Sequence, residues 1–173
     1  MLSSIHIQAI ARCLIDLDAH AQRTQGGPGE NLLAVLQETP VPGHPDPSAR
    51  HLGVNPLPVQ PQVWRHPDGP VAALRQAHDD MRRFGVQEQL AQVTGVRFLA
   101  WVYLYTQTID DEDGPATVRQ IDAVDIDGRA HLLTHVLGEA GHCLLVLPDT
   151  AAPDFDGTLT VLNTLARTMR TSG

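Results

Sequence analysis

Between residues 98 and 105 the chain reads Phe98-Leu99-Ala100-Trp101-Val102-Tyr103-Leu104-Tyr105, eight positions without a charge. Aromatic and β-branched side chains favour an extended, packed backbone, so residues 96–105 are predicted to form a strand. Apolar positions do not alternate with polar ones, which implies cover on both faces. Asp110-Asp111-Glu112-Asp113-Gly114-Pro115 follows, and residues 106–117 are predicted to be a solvated hairpin loop. A second strand is expected over 118–126, then a tight turn at Asp127-Gly128 of the type that needs positive φ at both central residues. That two-residue turn sets Val124 against His131 and Asp122 against Leu133. Ile121, Ala123, Ala130, Leu132, Thr134 and Val136 then form one core face, joined by Cys143, Leu145 and Leu147 from a fourth strand over 142–147 that Pro148 stops. Leu133, Leu144 and Val146 mix with Asp122, His131 and His135 on the other face, so a second covering layer is required. The N-terminal half of the chain or a second copy could supply it.

The remaining elements follow from helical spacing and breakers. Ser3 or Ser4 can cap a helix reaching about Arg23, with Ile7, Ile10, Leu14 and Leu17 along one side. Asn31 is expected to start a short second helix holding Leu32, Leu33, Val35 and Leu36. Nine of the thirteen prolines fall between Pro40 and Pro70. This predicts an extended strap at about 40–67 without regular structure, anchored by Val54, Leu57, Val59 and Trp64. Asp68 and Pro70 mark the start of a helix carrying Val71, Leu74, His78, Met81 and Phe84, which Gly85 ends or kinks. Two further turns are expected over 86–93. Asp154 or Asp156 is expected to cap a last helix with Leu159, Leu162, Leu165 and Met169 inward. The fold class is therefore α+β: a four-stranded antiparallel meander, about 96–147, packed with helices from the N-terminal half and a C-terminal helix. The whole chain, 1–173, is taken as a single domain.

Composition narrows the function classes. The net charge of −8 makes a nucleic-acid backbone a poor partner. No apolar run approaches the ~20 residues of a membrane span, and Asp16 and Asp18 interrupt any signal-like N-terminus. All twelve basic residues are arginine, a coding bias that fits a bacterial source. Cys13 and Cys143 sit in apolar surroundings, which predicts two buried free thiols in a reducing, cytoplasmic compartment.

Candidate chemistry is sparse. Asp125-Ile126-Asp127-Gly128 partly matches a calcium loop, but Ala123 and Thr134 stand where that loop needs carboxylates. His131 and His135, four apart on a strand, are ~13 Å apart and cannot share one ion. His135, Glu139 and His142 cluster at one hairpin end and carry the donor types of many metal sites. The acids at 110–113 could attract a cation or a basic partner, and His78-Asp79-Asp80 points to different faces of a helix. No nucleophile motif or phosphate loop is present. The expectation is a non-catalytic protein–protein interaction or accessory module, homodimeric or bound to a protein partner, with no cofactor. The alternative is a small-ligand or metal-dependent enzyme with its site at His135, Glu139 and His142.

Overall fold

A computed structural model describes residues 1–24, 31–86, 89, 95–111, 114–148 and 157–171. The chain begins with helix α1 (Ser4–Thr24), continues through strands β1 (Leu32–Pro40) and β2 (Arg50–Pro56) and a 3-10 turn (Val63–Arg65), and forms α2 (Gly69–Arg83). Strands β3 (Arg97–Asp111), β4 (Gly114–Asp125), β5 (Ala130–Val136) and β6 (Cys143–Leu147) follow, and α3 (Thr158–Thr171) comes last. The strands form one antiparallel sheet in the order β2-β1-β3-β4-β5-β6. The architecture is α+β, and the sheet has six strands rather than four.

The uncharged run at 98–105 lies in β3, at the centre of the sheet. Both of its faces are covered by the chain itself. On one face Ile10, Leu14 and Ala21 of α1 pack on Leu36, Leu99, Val102, Leu104, Ile121 and Leu133. On the other face α2 and α3 bring Leu74, Met81, Leu162 and Leu165 onto Leu33, Val35, Trp101, Tyr103 and Val124. Trp64 stacks on Tyr103, with ring centroids 5.7 Å apart, and Tyr103 stacks on Tyr105 at 4.9 Å. The anchoring role expected of Trp64 is therefore met, together with Leu57 and Val59 on the same cluster.

Four expectations are corrected. The apolar run after Asn31 is a strand, not a helix. It is five residues long, buried on both sides between β2 and β3, and five apolar residues satisfy a covered strand as well as a helical turn. The proline-rich segment contains β2, whose residues 50–56 pair one for one with 34–40. The prolines bound this strand instead of abolishing it: Pro47 precedes it and Pro56 ends it. The acidic hairpin is shorter than predicted, because β3 continues to Asp111, which pairs with Gly114. The fourth correction concerns register. Val124 faces Ala130 and Asp122 faces Leu132, one position away from expectation.

The cause of the register shift is the turn. The backbone N–H of Gly128 donates to the Asp125 carbonyl at 2.9 Å, and that of Asp125 donates to the Arg129 carbonyl at 3.0 Å. Gly128 alone has positive φ, at 87°, and Asp127 does not. This is a type I turn followed by a left-handed glycine, a three-residue loop. The Asp125 carboxylate selects it by accepting the N–H of Asp127 at 2.8 Å and that of Arg129 at 3.0 Å. As a result β4 is turned over relative to the predicted faces. Ile121 and Ala123 lie under α1 with Leu133, whereas Ala130, Leu132 and Thr134 face α2 and α3.

The last helix is present as expected, but its expected caps, Asp154 and Asp156, and most of the two turns over 86–93 lie outside the described residues. Among the described residues no helix is long and apolar enough to cross a membrane.

Candidate functional site

The buried charged and polar side chains gather on β4 and β5, beneath the helices. Asp18 continues the Ile10–Leu14–Ala21 stripe of α1, so helical spacing carries a carboxylate into the core. It is met there by two sheet residues. Arg119 Nη1 donates to Asp18 Oδ1 at 3.0 Å, and His135 Nδ1 lies 2.7 Å from Asp18 Oδ2. All three are almost fully buried. The other His135 nitrogen, Nε2, is 3.2 Å from the Glu139 backbone carbonyl.

A second group holds the start of α1. The Asp125 carboxylate receives His131 Nε2 at 3.3 Å and Arg129 Nη1 at 3.4 Å. Arg129 also bridges to Asp127 at 2.9 Å, and Asp127 accepts the Leu2 backbone N–H. Burial alone would raise the Asp125 carboxyl, but the His131 ring and the N–H groups of Arg129 and Asp127 overcome it and hold the group below the usual carboxylate range. Asp127 is likewise opposed by burial and held low, here by the Leu2 N–H and Arg129.

On the opposite face Asp122 is buried among donors. Tyr105 donates its hydroxyl at 3.0 Å and Gln120 its amide at 3.1 Å, and the Thr158 hydroxyl at the start of α3 donates as well. Desolvation outweighs these bonds and raises the Asp122 carboxyl. The Tyr103 and Tyr105 phenols are pushed up by burial and then by the Asp122 charge. An amide can replace this carboxylate: its oxygen serves Tyr105 and Thr158, and a flipped Gln120 accepts its NH₂. Asp122→Asn is therefore expected to leave stability at pH 7 within about 1 kcal/mol of the parent, measured by urea unfolding. A loss of several kcal/mol would mean that the charge itself holds α3.

At the α1 N-terminus Ser3, His6 and Glu38 line up as hydroxyl, imidazole and carboxylate. Ser3 Oγ is 2.6 Å from His6 Nδ1, and His6 Nε2 is 3.3 Å from Glu38. The geometry is that of a reciprocal helix cap. The His6 N–H reaches Ser3 Oγ at 3.4 Å while the Ser3 N–H donates to the His6 ring at 3.2 Å. Arg97 shares the His6 Nε2 atom at 3.1 Å.

The hairpin end at His135, Glu139 and His142 is not assembled as a donor cluster. The His135 ring is buried under α1 and engaged at both nitrogens, whereas Glu139 and His142 are exposed. Among the described residues no three His, Cys, Asp or Glu side chains are placed to hold a metal ion. Cys13 is half-buried, and burial followed by Asp16 raises its thiol. Cys143 is exposed, contrary to the expectation of two buried thiols.

That exposure belongs to a larger feature. The helices pack over β3, β4 and β5, and β6 lies beyond them at the edge. Its residues, Cys143-Leu144-Leu145-Val146-Leu147, include no charge, proline or glycine. Leu145 is 49% exposed and Val146 39%. The opposite edge, β2, carries Arg50, His51, Gly53 and Pro56, residues that blunt strand addition. The sequence pattern marks Cys143, Leu145 and Leu147 as core with Ile121 and Ala123; they instead share the face of Ala130 and Leu132, where Leu147 packs on the core but Cys143 and Leu145 are exposed. No local pattern shows that, among the described residues, the cover over this face thins out between Leu147 and Leu145. Comparison of the chain with protein-family models, with curated proteins and with solved structures returns no match.

Proposed function

We propose that the chain is a non-catalytic protein-interaction module that acts as a homodimer and docks through the β6 edge. The observation that carries this reading is the asymmetry of the two sheet edges. An uncharged, apolar, half-exposed strand with an open backbone edge is a template for strand addition, and proteins normally guard such edges. Among the described residues β2 is guarded and β6 is not. The disposition of the polar groups supports the same reading. Asp18, Arg119, His135, Asp122, Asp125 and His131 spend their hydrogen bonds fastening helices and a turn to the sheet. Sedimentation velocity across the micromolar range is expected to show reversible dimerisation, with the sedimentation coefficient rising with concentration. A single monomer boundary throughout that range would overturn the homodimer.

A further inference from the structure

Resting on that reading, we infer how two copies meet: β6 pairs antiparallel with β6 of the partner, Leu145 against Leu145 on the twofold axis. The backbone supplies the argument. In an antiparallel ladder each residue sends both its N–H and C=O to one neighbour, and the direction alternates along the strand. The bonds from Asp125 N to the Arg129 carbonyl and from Leu137 N to the Thr117 carbonyl fix this alternation between β4 and β5. The odd residues of β5, His131, Leu133 and His135, point their amides at β4. The even ones, Ala130, Leu132 and Thr134, point theirs at β6, where they face Leu147, Leu145 and Cys143. Cys143, Leu145 and Leu147 therefore bond inward to β5, and the N–H and C=O groups of Leu144 and Val146 point outward. Among the described residues nothing pairs with them.

A twofold pairing has to use those four polar groups in each copy. Centred on Leu145, it sets Leu144 against the partner's Val146 and Val146 against the partner's Leu144. Both are hydrogen-bonded pairs, so all outward N–H and C=O groups of the two strands are satisfied. Centred on Leu144, the pairing would set Val146 against His142, beyond the end of the strand. Centred on Val146, it would set Leu144 against Pro148, which has no N–H. One register alone uses the whole strand, and its side chains agree with it. Leu145 meets Leu145 in the closer, non-hydrogen-bonded type of pair on one face, and Leu144 meets Val146 on the other. No like charges oppose each other, although the chain carries a net charge of −8. The second copy fits because it presents a strand of the same length, the same outward polar pattern and the same stopping residue. A five-residue pairing buries on the order of several hundred Å² in total, less than the ~1,200–2,000 Å² of tight complexes, so the dimer is expected to dissociate in the micromolar range.

The backbone pattern also provides the test. The Val146 N–H points away from β5, so Val146→Pro removes a dimer bond and leaves the internal ladder intact. Its melting temperature is expected to match the parent at a concentration where both are monomeric, while the dimer dissociation constant rises by about tenfold or more. The second arm is oxidative cross-linking in a Cys13→Ser, Cys143→Ser background. Leu145→Cys places two thiols on Cα atoms about 4.5 Å apart, within disulfide reach. Leu144→Cys leaves them on a diagonal at about 7 Å or more, beyond it. Interchain disulfide is expected through position 145 and not through 144. A dimer that survives Val146→Pro, or cross-links equally through both positions, overturns this pairing while leaving a homodimer that uses another surface. If Val146→Pro fails to fold, the cross-linking arm decides. A parent protein that stays monomeric throughout overturns both the pairing and the homodimer.

Discussion

Asp18→Ala is expected to cost about 3–5 kcal/mol of folding stability, the range found when one member of a buried ion pair is removed. For a chain of this length that lowers the melting temperature by on the order of 10 °C. The reason is what remains behind. Arg119, almost wholly buried, keeps its charge and loses its carboxylate, and its Nε already lacks a partner among the described residues. His135 keeps its carbonyl contact and loses the shorter 2.7 Å one. The alanine itself costs little, because it is a good helix former on a covered stripe. Asp18→Asn keeps one acceptor and is expected to lose less. Asp18→Leu with Arg119→Met should recover most of the loss, since well-packed apolar replacement of a buried ion pair is often neutral. Urea unfolding of the four proteins makes the comparison. A loss below about 1 kcal/mol for Asp18→Ala would show that water reaches the group and that it does not fasten α1.

This fastening shows where the sequence was readable. The α1 helix and its apolar stripe followed from spacing, but Asp18 read as an interruption of an apolar stretch. It holds the next helical position after Ile10 and Leu14, and a carboxylate in that phase calls for a buried base. Arg119 and His135 were visible on neighbouring strands, yet pairing them with Asp18 needed the β4–β5 register and the placement of α1. The meander was readable because Gly138, Gly141 and Pro148 punctuate it and because residues 98–105 demand two covered faces. The strand β1 was not, since Leu32 to Leu36 is too short for a period to separate helix from strand. The strand β2 was hidden by the prolines around it, which argue against a central strand but suit an edge. Of the mixed outer face, Leu133, Leu144 and His135 are covered on the α1 side, whereas Asp122 turns to the opposite face against α3 and Val146 stays half-exposed. The weakness of cover at β6 depends on how far the helices reach across the sheet, and no local pattern encodes that.

The register itself turned on one residue, and this gives the second large effect. Asp-Gly favours a two-residue turn, but an aspartate three positions before the glycine favours type I, and Asp125-Ile126-Asp127-Gly128 contains both signals. The Asp125 carboxylate decides between them through its bonds to the N–H groups of Asp127 and Arg129. Asp125→Ala leaves these two groups and the buried His131 ring without their acceptor. The ring cannot turn to another partner, because its Nδ1 also has none among the described residues. A slip to the two-residue turn would relieve the loop, but it would rotate Leu132 and Leu133 onto the wrong faces, so packing forbids it. The expected cost is about 3 kcal/mol or more at pH 7. The pH dependence has a definite sign. Asp125 and Asp127 are both held below their unfolded values. Their contribution is complete above the unfolded carboxylate value near pH 4, and it drains away as pH falls through the folded values. Asp122 is raised by burial and acts oppositely: its contribution is largest at low pH and is lost as pH rises through its folded value. Stability is therefore expected to rise through Asp122 as pH falls towards about 4, and to fall below about pH 4 through Asp125 and Asp127. Asp122→Asn should abolish the gain in stability as pH falls towards 4 and leave the slope below it unchanged, whereas Asp125→Ala should flatten the acid limb, as read from melting temperatures between about pH 2.5 and 7. Identical profiles for all three proteins, above and below about pH 4, would remove Asp122 and Asp125 from the origin of the pH dependence.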